Sequence, residues 1–239
     1  MEMLFGIRDV AGVLHDVAPD GPSKVTLPAG GVNGLVSQPK PVTTESGFAP
    51  GAVLHGYTTP AMEGSIKLMV EPPFTYGQVA RWFSPNKDAH IILGSWELAV
   101  RLRAMVAHPD VAPDEEPLIE MEIPLASFDG VWLSAPRRGA RVTNDGDVAI
   151  YPTIEWQGAN SLVQWPSGFV TDLPPVTEKS TLDTSDEGGF TVRSNGRVDS
   201  VASGKVAGFS EPVPPGATAS LTLSNCDAIW RVGRWSPWE

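Results

Sequence analysis

Glycine and proline, 24 and 23 of 239 residues, are scattered between short apolar runs rather than gathered in one tail. Neither suits the interior of a helix or of a central strand, so such frequent interruption leaves room only for short elements joined by many turns. With 41% apolar and 19% charged residues, the chain still has the side chains to fold rather than stay disordered. Its length fits one large β domain or two small ones.

The apolar runs alternate as half-buried strands do. In "GSIKLMVEP", Ile66, Leu68 and Val70 share one face, with Lys67 and Glu71 on the other. "IEMEIPLA" puts Ile119, Met121, Ile123 and Leu125 inside and Glu120 and Glu122 outside. "SWELAVRLRAMVA" has a helix-favouring composition. However, Trp96, Leu98, Val100, Leu102, Ala104 and Val106 fall on one parity against Glu97, Arg101 and Arg103, which predicts a strand. Two short strands are expected at 4–10 and 13–17. Residues from about 30 to 60 form a Pro/Gly-rich arm, of a length usually ordered against a partner.

One segment carries helix-start signals. In "FTYGQVARWFSP", Thr75 is a good N-cap, Gln78 completes a capping box, and Phe74 and Val79 can form a hydrophobic staple. With Pro85 as the stop, the expected helix is 76–84. "SAPRRGAR" marks a boundary near residue 137, giving domains 1–137 and 138–239, the second all β. There "SLTLSN" alternates Leu221 and Leu223 with polar neighbours. "FTVRSNGRVDSV" is a hairpin: a two-residue Asn195-Gly196 loop would pair Val192 with Asp199, and a three-residue loop pairs Val192 with Val198. The three-residue form puts glycine at the left-handed position and is preferred. "NDGDVAIYPTIEWQG" places Pro152 in a strand, which calls for an edge or a bulge, and sets Ile150, Ile154 and Trp156 toward a core.

The net charge is −11. Residues 1–138 hold ten basic and sixteen acidic side chains, and the remainder seven and twelve, so both parts are acidic. The longest basic cluster is Arg137–Arg138, which argues against tight nucleic-acid binding. Cys226 is the sole cysteine, which excludes an intramolecular disulfide and a cysteine-based zinc site. No secretory signal is visible and no apolar run is long enough to cross a bilayer, so the expectation is folding in a reducing cytoplasm without membrane insertion.

Chemistry is sparse. His15, His55, His90 and His108 share no strand face or helix turn. No nucleophile-elbow motif occurs, and "SGKV" at 203–206 lacks the earlier glycine and following hydroxyl of a phosphate loop. Glu115 and Glu116 lie in a Pro-flanked segment and Glu120 and Glu122 on a solvent face, a poor glycosidase pair. Asp145 and Asp147 lack the remaining oxygen ligands of a calcium loop, whereas Asn-Asp-Gly is good turn chemistry. We therefore expect no catalytic, cofactor-binding or metal-ligating residue, and no enzyme. Of eight tryptophans, Trp96 and Trp156 fit a core. Trp235 and Trp238, in "GRWSPWE", and Trp165 are the candidate partner contacts.

The run "VTNDGDVAIYPTIEWQG", with Asn144, Gly146, Asp147, Tyr151, Pro152, Ile154 and Gly158, resembles the second domain of the distal tail proteins of long-tailed (siphovirus-type) bacteriophages. "EPVPPGATASLTLSN" is similar to the family's Pro-Gly turn before its late strand, and "WRVGRWSPWE" to its final strand. The likeness is best over 138–239. In the first domain it rests on the order of elements. It implies a mainly β protein: a tail-tube-like sandwich or barrel with one short helix, followed by a galectin-like β-sandwich. It also implies a virion tail-tip or baseplate component, a minor tail protein assembled in the host cytoplasm. Such a protein forms a sixfold ring between the tail tube protein and the tail-tip hub, with DNA passing through the lumen. The second domain then holds receptor-binding or other minor tail proteins. Two other classes are a carbohydrate-binding adhesin, which a glycan array with the second domain separates from a scaffold, and a cell-envelope hydrolase, which release of sugar or peptide from wall material would reveal.

Overall fold

The structure is a computed structural model that describes residues 5–238 except 20, 22, 46, 48, 49, 108–117, 186, 209 and 210. His108, Glu115 and Glu116 lie outside the described residues. The chain divides into two compact units, Met1–Leu133 with Trp235–Glu239, and Ser134–Arg234. The division falls a few residues before the expected boundary. The last residues also return to the first unit rather than completing the second.

The first unit contains β1 (Phe5–Arg8), β2 (Leu14–Asp16), β3 (Val25–Thr26), β4 (Val32–Gly34), β5 (Lys40–Glu45), β6 (Ala52–Thr58), β7 (Met62–Val70), α1 (Tyr76–Ala80), β8 (Ala89–Leu93), β9 (Trp96–Leu102) and β10 (Ile119–Ser127). Its main sheet runs β2-β1-β8-β9-β10-β7-β3, with β4 also on β7. A main-chain bond from Leu27 N to Val17 O, 2.8 Å, joins the chain after β3 to the chain after β2. The sheet is thereby nearly closed into a barrel. Alternation fills it: Ile66, Leu68 and Val70 from β7 meet Met121, Ile123 and Leu125 from β10, all at most 1% exposed. Each such side chain contributes about 1.5–3 kcal/mol by leaving water.

The helix has the expected capping box. Thr75 Oγ1 accepts from Gln78 N at 3.3 Å, and Gln78 Oε1 accepts from Thr75 N at 2.9 Å. It ends at Ala80, well before Pro85. The chain then tightens, with Trp82 N bonded to Val79 O and Phe83 N to Ala80 O. These turns place the adjacent rings of Trp82 and Phe83 in the same core, together with Val79. Phe74 meets Trp82 edge-on.

At Ser134 the second unit begins, partway along β11 (Trp132–Ser134). It continues through β12 (Arg137–Arg138), β13 (Arg141–Thr143), β14 (Thr153–Gly158), β15 (Ser161–Gln164), β16 (Val170–Leu173), β17 (Val176–Leu182), β18 (Val192–Ser194), β19 (Arg197–Val198), α2 (Ser200–Ser203), β20 (Thr218–Ser220), β21 (Thr222–Ser224), β22 (Cys226–Trp230) and β23 (Gly233–Arg234). A six-stranded sheet, β12-β22-β14-β17-β18-β19, accompanies a three-stranded sheet, β16-β15-β21, and the pair β13-β20. Ile154, Trp156, Val163, Trp165, Leu182 and Ala228 are among its buried side chains.

Three local expectations are corrected here. The hairpin pairs Arg193 with Val198 and Ser194 with Arg197, so its loop has two residues. Asn195 and Gly196 sit at φ +49° and +75°, the turn whose twist matches that of the strands. "SLTLSN" is two strands, because the chain changes sheets at buried Leu221: β20 pairs with β13 and β21 with β15. The all-β reading of this part also missed the single-turn α2, capped by Asp199.

Glycine is obligatory where β4 crosses β7. Gly34 faces Gly64 in register, and a Cβ on Gly64 would collide with Asn33 O and lie 2.8 Å from Leu35 N. By contrast, a Cβ on Gly77, inside α1, meets nothing. Gly64→Ala is expected to lose about 2 kcal/mol or more in urea unfolding. Gly77→Ala should be neutral or stabilising by up to about 1 kcal/mol.

Candidate assembly surfaces

The arm, β5 with β6, forms a two-stranded sheet of its own, in which every strand residue but the half-buried Gly56 is exposed. A hairpin of this kind is marginal alone. Its register places Tyr57 opposite Pro41 and Leu54 opposite Thr43 on one face. Val42 and Val53 share the other face. Val53 is 59% exposed and Tyr57 53%, with Val42 and Leu54 close behind. His55, at the bulge, is 2.8 Å from Thr44 Oγ1.

Trp235 sits at the base of this arm within the first unit. Its ring meets Tyr57 edge-on, centroids 5.7 Å apart. Its Nε1 donates to Thr59 Oγ1 at 3.2 Å, and its carbonyl accepts from Ser37 N at 2.9 Å. Trp238 is 56% exposed. Trp165 is 2% exposed and donates to Thr171 Oγ1 at 2.8 Å, so it is a core residue of the second unit and presents no platform. The sequence missed this because Trp165 stands just beyond β15, where parity is undefined. Trp156 is also core, donating to Pro174 O, while Trp96 packs partly buried against the first core.

The outward face of β7 and β10 is polar and paired. Lys67 reaches Glu120 at 3.1 Å, Arg103 reaches Glu63 at 2.7 Å, and Ser65 donates to Glu122 at 2.6 Å. Among these side chains, three are acidic and two basic. On β1 and β9, Arg8 pairs with Glu97. His15 stacks on Trp82 at 3.9 Å and lies 3.0 Å from the Asp9 carboxylate. That grouping had no sequence signal, since the turn after β1 alone brings Asp9 to His15. Among the described residues no cluster of three metal-ligating side chains occurs.

The Asn144–Gly158 stretch is structural in detail. Asn144 is buried. Its Nδ2 donates to Val148 O at 2.8 Å and Val213 O at 2.7 Å, and its Oδ1 accepts from Gly146 N at 3.0 Å. Its main chain bonds Ala217 and Gly216, so it ties the turn to the Pro-Gly loop before β20. A Cβ on Gly146 would clash with Gly233 O and Val232, and Asp147 N donates to Gly233 O. Asp145 instead faces Arg137 at 2.9 Å, and that guanidinium holds its carboxyl below the usual range. Tyr151 is half-buried just before β14. Pro152 is buried but lies outside the ladder, because β14 starts at Thr153 between β22 and β17. The proline therefore occupies neither an edge strand nor a bulge. Its carbonyl accepts from Thr184 Oγ1, and Ile150, on the same parity, bridges Val213. Ile154 is fully buried, and Gly158 ends β14 at φ +93°, just after a register shift.

No family model and no curated protein matches the chain. Solved structures do. The crystal structure of the SPP1 Dit (gp 19.1) protein, described as a paradigm of the hub adsorption apparatus in Gram-positive-infecting phages, superposes with a TM-score of 0.56 at 11% identity. The match covers 96% of this chain and 99% of that one. The chain has the Dit fold. The phage P2 baseplate in its activated conformation with Ca contains the same fold, at a TM-score of 0.52, 10% identity, and 97% and 98% coverage. Its Sr form gives 0.51.

Two predictions concern the second unit of this Dit fold. Asn144→Ala removes the side-chain hydrogen bonds to Val148 O, Val213 O and Gly146 N at a buried position and should cost about 2–3 kcal/mol in chemical denaturation; a loss under about 0.5 kcal/mol would contradict the role given to it. Glu155 is held below its ordinary range chiefly by Arg138 at 2.6 Å, then Lys179 at 2.8 Å. Its contribution is complete above about pH 4.3 and is lost as pH falls through the lowered value. The thermal midpoint of Glu155→Gln should accordingly fall less steeply than wild type below about pH 4. The difference should stay under about 1 kcal/mol because both partners are half exposed.

Proposed function

We propose that this chain is a structural component of a phage virion, a distal tail protein that forms a sixfold ring between the tail tube and the tail-tip hub. The observation that carries this reading is the match to SPP1 Dit over nearly the whole of both chains, with no large domain left over on either side. The exposed arm supports it, since a lone apolar hairpin gains most by lying on a second copy of the chain. The first unit serves as the tail-tube-like ring domain and the second as the galectin-like sandwich on which receptor-binding or other minor tail proteins dock. No catalysis is involved, and the burial of Trp165 weighs against the adhesin alternative.

DNA passes through the ring without being held. A basic lumen would bind phosphates through counterion release. The acidic excess of the chain and the mixed, acid-leaning face of β7 and β10 suit a wall past which DNA slides. Purified protein should not retard duplex DNA at low salt, and a ring with a net-basic lumen would sink this part of the proposal.

Mass measurement with two-dimensional class averages tests the ring. Sixfold particles at tens of micromolar are expected, and a closed dimer at every concentration would overturn the reading. Trp238→Ala, at an exposed aromatic, should leave monomer stability within about 0.5 kcal/mol and weaken assembly.

A further inference from the structure

We propose that Trp235 is a latch for the arm: one residue, far away in sequence, that fixes both feet of the β5–β6 hairpin. Ser37, three residues before β5, donates its N–H to the Trp235 carbonyl. Tyr57, near the end of β6, packs against the indole in a T-shaped contact, and Thr59, just beyond β6, accepts the indole N–H. The chain entering the arm and the chain leaving it are therefore both held by the same side chain and its backbone. The base is tight on its other side as well. Gly130, at φ +66°, approaches so closely that a Cβ there would collide with Pro60 O and lie 3.0 Å from Thr59 Cγ2.

The latch meets the arm on one face. Tyr57 shares its face with Pro41 and Leu54, and this is the side that Trp235 engages. Both faces of the arm remain exposed, with Tyr57 and Leu54 on this side and Val42 and Val53 on the other. Above Val42 the partner strand offers Gly56, whose missing side chain leaves open space. An arm whose feet are fixed before association has less conformational freedom to lose on docking. That use of the latch rests on reading the arm as an element between subunits; the latch itself does not.

Hydrogen exchange on the dilute full-length monomer tests it directly. In Trp235→Ala, amides of 40–45 and 52–58 should exchange about tenfold faster than in wild type, while those of β14 and β17 keep their rates. Trp235→Phe, which keeps a ring but loses the N–H, should fall between. Thr59→Val removes only the acceptor and should show a smaller acceleration confined to the arm. Unchanged arm exchange in Trp235→Ala, or in Thr59→Val should Trp235→Ala unfold the whole unit, overturns the latch. The assembly reading is judged separately, by particle mass. Wild-type protein that never assembles would remove the intersubunit role while leaving the exchange result to stand, and a latched arm predicts that Trp235→Ala needs about tenfold more protein for half assembly.

Discussion

The closure of the first sheet is the constraint on which the rest of the molecule depends. A chain so interrupted by glycine and proline cannot satisfy its backbone within long helices. Each of its short strands must find partners on both sides or leave main-chain groups to water or to another chain. The bond between Leu27 and Val17 brings the last strand of the main sheet back to the first, and few edges remain. Against that background the β5–β6 hairpin stands out. Among the described residues of the first unit, it is the one long pair that joins no larger sheet and covers no core. A chain that closes its sheet so carefully elsewhere and leaves this pair open has placed its unsatisfied surface where assembly can use it.

Much of this was legible in the sequence, for definite physical reasons. Period-two alternation in β7, β9 and β10 identified strands and their inner faces, because one side of each lies against a single core. The capping box at Thr75 and Gln78 was legible because it is a local exchange of two hydrogen bonds. What escaped depended on the surroundings. The helix stopped early because burying Trp82 and Phe83 together required tighter turns. The hairpin loop at Asn195 and Gly196 was decided by strand twist rather than by which apolar pair it would align. Leu221 interrupts an alternating run because the chain passes there from one sheet to another. Trp165 and Trp235 could not be placed from their neighbours, since the groups that receive their indole N–H bonds, Thr171 and Thr59, are set by tertiary packing.

The stretch around Asn144 shows how a surface-looking motif can be internal. Asn-Asp-Gly-Asp suggests a turn, and it is one, but the asparagine is among the least exposed polar residues of the second unit. It bonds the segment around residue 213 and the Pro-Gly loop as well as its own turn. Gly146 and Asp147 fix the turn against the main chain near residue 233. The acidic residues that could have been ligands are used differently. Asp145 answers Arg137, and Asp147 contributes its amide. In this chain the motif serves packing, and it ties the start of the second unit to its end.

The path of the chain has one more consequence. The second unit leaves the first at residue 133 and gives it back at residue 235, and within it Ser134 N is bonded to Val232 O at 2.8 Å. Its two ends are thus neighbours, as in a bead threaded onto a loop. Such a module can be exchanged for another, or enlarged, without altering the host fold, provided the replacement also begins and ends at one spot. Relatives with different attachments to their surroundings could arise by swapping this single cassette, while the barrel, its arm and the tryptophan that holds the arm stay as they are.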